Sequence, residues 1–285
     1  MNNYMNTGLL MLLLSMLAIA SSCAQKKSAK TTFPPHYSAE PIILKMEKDL
    51  EEISGLSFDP SNYSAVYAIS DDKGSLYKVL LSDGKIVSKL KFHDQKNFED
   101  LAIVGDSCYV LNSNGNIVSF NYKINEVKNA VMHHIREKGK NEFEILYRDK
   151  AASSKLILIC KGCERDKKKE VSTFSYDIAT GIYTDGPFIL DAKDILKKSL
   201  GDKNRFKPSA ASIHPMTGDL YIVSSINKLL VITDTKGNLK QVYPLDEQLF
   251  KQPEGIAFTR SGDMLISNET AGKGAANILI YKYSP

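Results

Sequence analysis

The sequence predicts an all-β protein, a β-propeller built of four-stranded antiparallel blades. Three observations carry the prediction. A polar or acidic residue, a short apolar run, a turn and a second apolar run recur as one pattern five times. The pattern starts at Ser54, Glu99, Glu144, Ser209 and Glu254, so the intervals are 45, 45, 65 and 45 residues. The last copy is one strand short, while a lone strand pattern stands ahead of the first. A unit of that length supplying four short strands matches a propeller blade.

Unit one opens with Ser54 to Phe58, turns through DPSNYSA and returns from Val66 to Ser70. SLYKVLLS and IVSKLKF follow, separated by Asp83-Gly84, which is a hairpin signal. Unit two runs from Glu99 to Ile103 and from Cys108 to Asn112, and unit three from Glu144 to Tyr147 and from Leu156 to Cys160. Unit four pairs Ser209–Ile213 with Leu220–Ser224, then adds KLLVITD and LKQVYPL around Lys236-Gly237-Asn238. Unit five supplies only GIAF, MLIS and NILIYKY. The orphan strand PIILKMEKDL, Pro41 to Leu50, is expected to complete that blade and remove two exposed sheet edges. Unit three is longer because DAKDILKKSLG reads as an inserted helix, capped by Asp191 and ended by Gly201. The count is five blades; splitting unit three would give the alternative of six.

The composition is that of a folded domain, with 43% hydrophobic and 25% charged residues. The net charge is +4, and Lys26, Lys27 and Lys30 supply three of those charges ahead of the first strand. The near-neutral remainder excludes a broad nucleic-acid surface. Lys167, Lys168 and Lys169 are flanked by Asp166 and Glu170 and read as a solvated loop.

The N-terminus carries an apolar run from Leu9 to Ala20, too short to span a bilayer as a helix. It ends in Ala20, Ser21, Ser22 and Cys23, which is signal-peptide grammar with the Cys of a bacterial lipobox. Residues 1–22 are expected to be a lipoprotein signal peptide, and Cys23 to be acylated, with palmitate among the expected chains. A plain secretory signal is the alternative. Residues 23–40 contain a Pro pair and no apolar periodicity, and read as a tether. Residues 41–285 form the propeller. The expected location is the cell envelope, with the membrane reached through the lipid anchor and the domain a monomer.

Five segments carry a family resemblance: EISGLSFDP, DDKGSLYKV, NFEDLAIVGD, KPSAASIHPMTGDLYIVSS and QPEGIAFTRSGDMLISNE. Together they resemble the SdiA-regulated family of bacterial β-propeller proteins, which is similar to the NHL and phytase-like propellers. The resemblance implies a propeller and an exported location. It supplies no catalytic residues.

In a propeller the first strand of each blade lines the central channel. The loops entering that strand and leaving the second strand open on one face. The repeat therefore places Ser54, Glu99, Glu144, Ser209 and Glu254 in one ring, and Ser70, Asn112, Cys160, Ser224 and Asn268 in a second. Asp71, Ser113, Lys161, Ser225 and Glu269 come one residue later, and Glu52 and Glu142 lie two residues ahead of the first ring. The candidate ligand-binding set is Glu52, Asp71, Glu99, Asn112, Glu144, Lys161, Glu254, Asn268 and Glu269. Converging carboxylates need a cation, a Lys, raised pKa values or bridging water. Oxygen ligands suit Ca²⁺, and Glu99, Glu254 and Asn268 are the candidate set for it. Lys161 is the internal competitor, able to neutralise Glu144 or Glu254. Caps on backbone N–H groups are the purely structural alternative.

Cys160 and Cys163 form a CxxC that ends a strand, which favours a local disulfide over redox catalysis. No nucleophile elbow, zincin motif or Walker loop is present, so no catalytic residue is singled out. The expected function is a binding or scaffold module presenting a polar funnel to a small molecule, peptide or envelope partner. The alternative is a calcium-dependent hydrolase of phosphoesterase or lactonase type.

Overall fold

The computed structural model describes residues 33–149, 152, 154–270, 272 and 274–285. The expected signal peptide, Cys23 and the tether as far as residue 32 lie outside them.

Five four-stranded antiparallel sheets make the fold. Blade one holds β2 (Ile53–Asp59), β3 (Asn62–Ser70), β4 (Lys73–Leu80) and β5 (Ile86–Lys91). Blade two holds β6 (Phe98–Val104), β7 (Ser107–Asn112), β8 (Ile117–Asn121) and β9 (Val131–His133). Blade three holds β10 (Asn141–Arg148), β11 (Lys155–Cys163), β12 (Glu170–Asp177) and β13 (Ile182–Asp191). Blade four holds β14 (Ala210–Ile213), β15 (Leu220–Ser224), β16 (Leu229–Thr233) and β17 (Leu239–Pro244). Blade five holds β18 (Pro253–Phe258), β19 (Met264–Asn268) and β20 (Asn277–Tyr281), completed by β1 (Ile42–Lys45). Strand β2 packs beside β6 and β18, β10 beside β6 and β14, and β14 beside β18, so the inner strands close a ring of five.

The middle strands are buried on both faces, which is why they read as unbroken apolar runs. Leu220 and Ile222 of β15 join the core shared with blade three, while Tyr221 and Val223 join the core shared with blade five. Likewise Leu265 of β19 faces blade one and Ile266 faces blade four. Period-two alternation thus feeds two cores instead of one core and water.

The closing strand is where the repeat places it, with Ile42 opposite Ile280 and Lys45 opposite Asn277. It is shorter than the Pro41–Leu50 pattern, because Lys48–Leu50 turns as a 3₁₀ helix that buries Leu50. The packed chain also begins earlier than residue 41. Tyr37 bridges to Tyr283, its hydroxyl donates to Gly262 O at 3.1 Å, and the Phe33 ring lies 4.3 Å from that of Tyr281. Residues 33–40, assigned from the sequence to the tether, are therefore seated on blade five.

The expected helix over Asp191–Gly201 shrinks to one turn, α1 (Lys193–Leu196). Asp191 ends β13, and its carboxylate accepts the Lys193 N–H at 2.9 Å. The following residues are held by Asn227, whose Nδ2 donates to Ser199 Oγ, Asp202 O and Arg205 O, and whose Oδ1 accepts from Lys207 N. That side chain supplies the hydrogen bonds that further helix would have made.

Candidate functional site: a bulged ring at one end of the channel

Four of the five first-ring residues occupy a β-bulge at the start of the inner strand, and Ser209 stands just ahead of its strand. Phe98 pairs with Asn112 and Asp100 with Leu111, which leaves Glu99 as the extra residue. Glu144 is the extra residue between Phe143–Cys160 and Ile145–Ile159, and Glu254 between Pro253–Asn268 and Gly255–Ser267. In blade one Ser54 and Gly55 together face Ile69. In blade four the N–H of Ser209 donates to Val223 O, although Val223 already pairs with Ala210. An extra residue bends the strand and re-aims its side chain. The bulges of blades one, two, three and five therefore turn their ring residues toward the axis.

Two glycines let the ring close at this level. A Cβ on Gly55 would lie 2.6 Å from the Cα of Asp100, and one on Gly255 would lie 2.4 Å from Ser54 O. Both would penetrate neighbouring backbone, so the Gly after the ring position in units one and five is a packing requirement.

Blade three carries a second bulge on the facing strand. Glu142 pairs with Gly162 and Phe143 with Cys160, so Lys161 is unpaired in β11. Its Nζ lies 2.8 Å from Glu144 Oε1 and 3.4 Å from Glu142 Oε1. A disulfide joins Cys160 to Cys163 across this bulge. Both sulfur-bearing residues are buried, which fits a structural clamp and not a reactive thiol pair.

The carboxylates sense one another. Burial pushes Glu99 up to about 9, with Glu144 adding to the shift and Lys161 opposing it. Burial and Glu144 raise Glu254 to about 8, again against Lys161. Glu144 is raised by burial to about 7, held down by Lys161. Burial and a hydrogen bond with Glu52 lift Glu269 to about 9. Burial and Glu52 also raise Asp71. Burial alone would lower Lys161, but Glu144, Glu142 and Glu254 carry it above the ordinary lysine range. The ring thus meets its like charges by retaining protons and by one internal cation.

Glu52, Asp71, Glu99, Glu144, Lys161, Glu254 and Glu269 are brought to one end of the channel. Asn112 and Asn268 engage their amide nitrogens with nearby strand-end acceptors. Asn112 Nδ2 donates to Lys96 O and its Oδ1 accepts from Asn114 N, which closes the turn after β7. Asn268 is buried, with Nδ2 donating to Asn277 Oδ1 and Leu249 O, while its Oδ1 has no hydrogen-bond partner among the described residues. Of the candidate calcium set Glu99, Glu254 and Asn268, the two carboxylates are raised by burial and the amide keeps an unpartnered oxygen. Among the described residues, the one trio of Asp, Glu, His or Cys ligand atoms within 4.8 Å of one another is Cys160, Cys163 and Asp166, and its sulfurs are in the disulfide.

The sequence reading missed Asp100 and the basic wall. Asp100 is buried beside Gly55, and its two oxygens accept the N–H groups of Leu101 and Leu146 at 2.8 Å each. It ties blade two to blade three, and burial raises its pKa well above the usual range. An acid inside an apolar inner strand was the available signal. A cavity of about 360 Å³ opens over blade four, where Ser209 and Ser225 replace carboxylates, and Lys161, Lys207, Lys228 and Lys251 line it with Glu254. The other end of the channel holds a cavity of about 380 Å³ lined by Asp100, Tyr147, Arg148 and Ser212 among others.

No protein-family model matches the chain, and no curated protein matches it in sequence. Solved structures do match in fold. The glutaminyl cyclase of Myxococcus xanthus superposes with a TM-score of 0.58 at 13% identity, covering 86% of this chain and 95% of that one. A calcium-binding protein, regucalcin, from Agrobacterium tumefaciens gives 0.52 at 12%, covering 87% and 97%. A luciferin-regenerating enzyme gives 0.51 at 11%, covering 86% and 95%. These similarities establish the propeller fold.

Proposed function

We propose that the protein is an exported, lipid-anchored propeller of the SdiA-regulated type, acting as a binding module at the cell envelope. The anchor rests on Ala20-Ser21-Ser22-Cys23, and the family name on the five segments that resemble it. The binding role rests on one observation: bulges from three blades aim Glu99, Glu144 and Glu254 at the axis, where burial holds them partly neutral. Folding alone gains nothing from gathering these acids, since apolar residues of similar volume would be at least as stable. The occupant is a small molecule, a peptide or a segment of an envelope partner.

Two fold neighbours are named as enzymes, and Glu144, raised to about 7, is suited to general-base work near neutral pH. A hydrolase is thus the second reading. For its calcium form no three carboxylates among the described residues lie close enough to share an ion, and no step is routed through it. The test is a melting-temperature screen of the protein against small polar molecules and peptides, repeated with Glu254→Gln. Ligands whose stabilisation disappears with Glu254→Gln support the funnel. Undiminished stabilisation would move the site elsewhere, and turnover of a hit would favour the hydrolase.

A further inference from the structure

The funnel is not uniformly acidic. Glu52, Asp71 and Glu99 come from blades one and two, and Glu269 stands with them through its hydrogen bond to Glu52. Across the axis, blade four presents Lys207 and Lys228, with Lys251 of blade five beside them. Gln252 and Glu254 join the halves, since both line the cavity over blade four and Gln252 Nε2 donates to Glu269 Oε2 at 2.7 Å.

The basic wall has unused donors. An ammonium carries three N–H groups. Lys228 gives two to the carbonyls of Phe250 and Lys251, and Lys161 gives two to Glu144 and Glu142. Each keeps one. Lys207 donates its backbone N–H to Asn227 Oδ1, and its ammonium makes no hydrogen bond or ion pair with the described residues. Lys228 is held at φ 54°, in the left-handed region that a lysine rarely occupies. Such a conformation is retained where surrounding structure enforces it, and these places cluster at ligand sites.

We infer that the funnel binds a small zwitterion, a free amino acid or short peptide, with its carboxylate over Lys207 and Lys228 and its ammonium at Glu52 and Glu269. This rests on the binding role proposed above and names its ligand class. A dianion would meet the acidic half and a dication the basic half, so only a ligand with both charges is matched at both ends. The cavity of about 360 Å³ holds the basic end and reaches Gln252, whose Nε2 donates to Glu269, and its volume lies in the size range of small-ligand sites. An arriving ammonium would also displace the proton retained on Glu269, because it stabilises the ionised carboxylate.

The experiment is thermal melting and calorimetry on the full-length protein. The probes are the common amino acids and dipeptides, each as the free zwitterion, the N-acetyl form and the C-terminal amide. At least one zwitterion should stabilise the protein, with both blocked forms at least ~10-fold weaker. Lys207→Gln with Lys228→Gln should abolish the preference for a free carboxylate, and Glu269→Gln the preference for a free ammonium. Proton release should appear as a buffer-dependent binding enthalpy that Glu269→Gln removes. Blocked forms binding as well as free ones would overturn the inference, as would zwitterion binding indifferent to the three substitutions. If only neutral compounds such as sugars or nucleosides bind, and Glu254→Gln abolishes this, the ligand class is wrong and the binding role stands. If nothing in either set binds, both fall.

Discussion

Lys161 and Glu144 face each other across 2.8 Å because both are the extra residue of a bulge, one on each of two paired strands. The pair is largely buried, with 22% and 6% of the two side chains exposed. Lys161→Met should leave Glu144 without its cation. The loss is expected to be about 1–3 kcal/mol at pH 8, less than the full penalty of a stranded buried charge, because Glu144 can take up a proton instead. The loss should shrink at pH 5, where that protonation is easy. Adding Glu144→Gln to Lys161→Met should restore most of the stability. Urea unfolding of the three variants at both pH values checks this, and a loss unchanged by pH or by the second substitution would assign Lys161 a packing role only.

The ring was legible in the sequence because repeat spacing transmits position: Glu99, Glu144 and Glu254 are equivalent by count, whatever lies between. The bulges were not legible, since one extra residue leaves the apolar pattern of a short strand intact. Without them strict alternation would assign ring side chains to blade faces. Asn112 and Asn268 were legible by the same spacing. What spacing does not give is how such an amide is engaged: each nitrogen finds a nearby acceptor, Lys96 O or Asn277 Oδ1, and the Asn268 oxygen finds none among the described residues. The helix after β13 was overextended because Asn227, remote in sequence, supplies its competing hydrogen bonds.

Gly55 and Gly255 give a second prediction. Alanine at either position drives a methyl into the backbone of the adjacent blade. Each should cost about 1–3 kcal/mol or more, the range for overpacking a tight interior. Gly162→Ala is the matched control, because its nearest foreign atom is a flexible Glu142 oxygen at 4.0 Å. Equal melting temperatures for all three would mean that the ring tolerates expansion.

The N-terminal region gives a graded series. Cys23→Ser should release the protein from membranes and abolish lipid labelling, and an unchanged membrane fraction would sink the anchor. Deletion through residue 30 should leave domain stability unaltered. Deletion through residue 40 removes Phe33 and Tyr37 from blade five and should lower the melting temperature while the domain stays monomeric. Deletion through residue 50 removes β1, exposes the edge of β20, and should cause aggregation. Light scattering and thermal melting separate the last two outcomes, and a monomeric, normally melting product of the longest deletion would show that closure contributes little.

The final prediction concerns pH and calcium together. Glu99 and Glu254 are raised from 4.5 to about 9 and about 8. Between those limits the folded chain keeps protons that the unfolded chain has released. Stability should therefore be unpenalised below about pH 4.5 and fall as pH rises toward 9, with a limiting slope of about 1.4 kcal/mol per pH unit for each neutral carboxyl. Replacing both by Gln removes the protons from the balance while keeping the shape, so the double variant should have a flatter profile and exceed the parent above pH 7. Calcium should shift neither protein, because the described carboxylates offer no three oxygens close enough to share an ion. Denaturant unfolding from pH 5 to 9, with and without calcium, reads both effects. If calcium instead stabilises the parent by about 2.7 kcal/mol at a hundredfold excess over its dissociation constant, and the double variant loses that gain, the carboxylates rearrange around the ion. The hydrolase reading would then outrank the binding module, since an ion held at the axis could polarise a scissile bond beside Glu144.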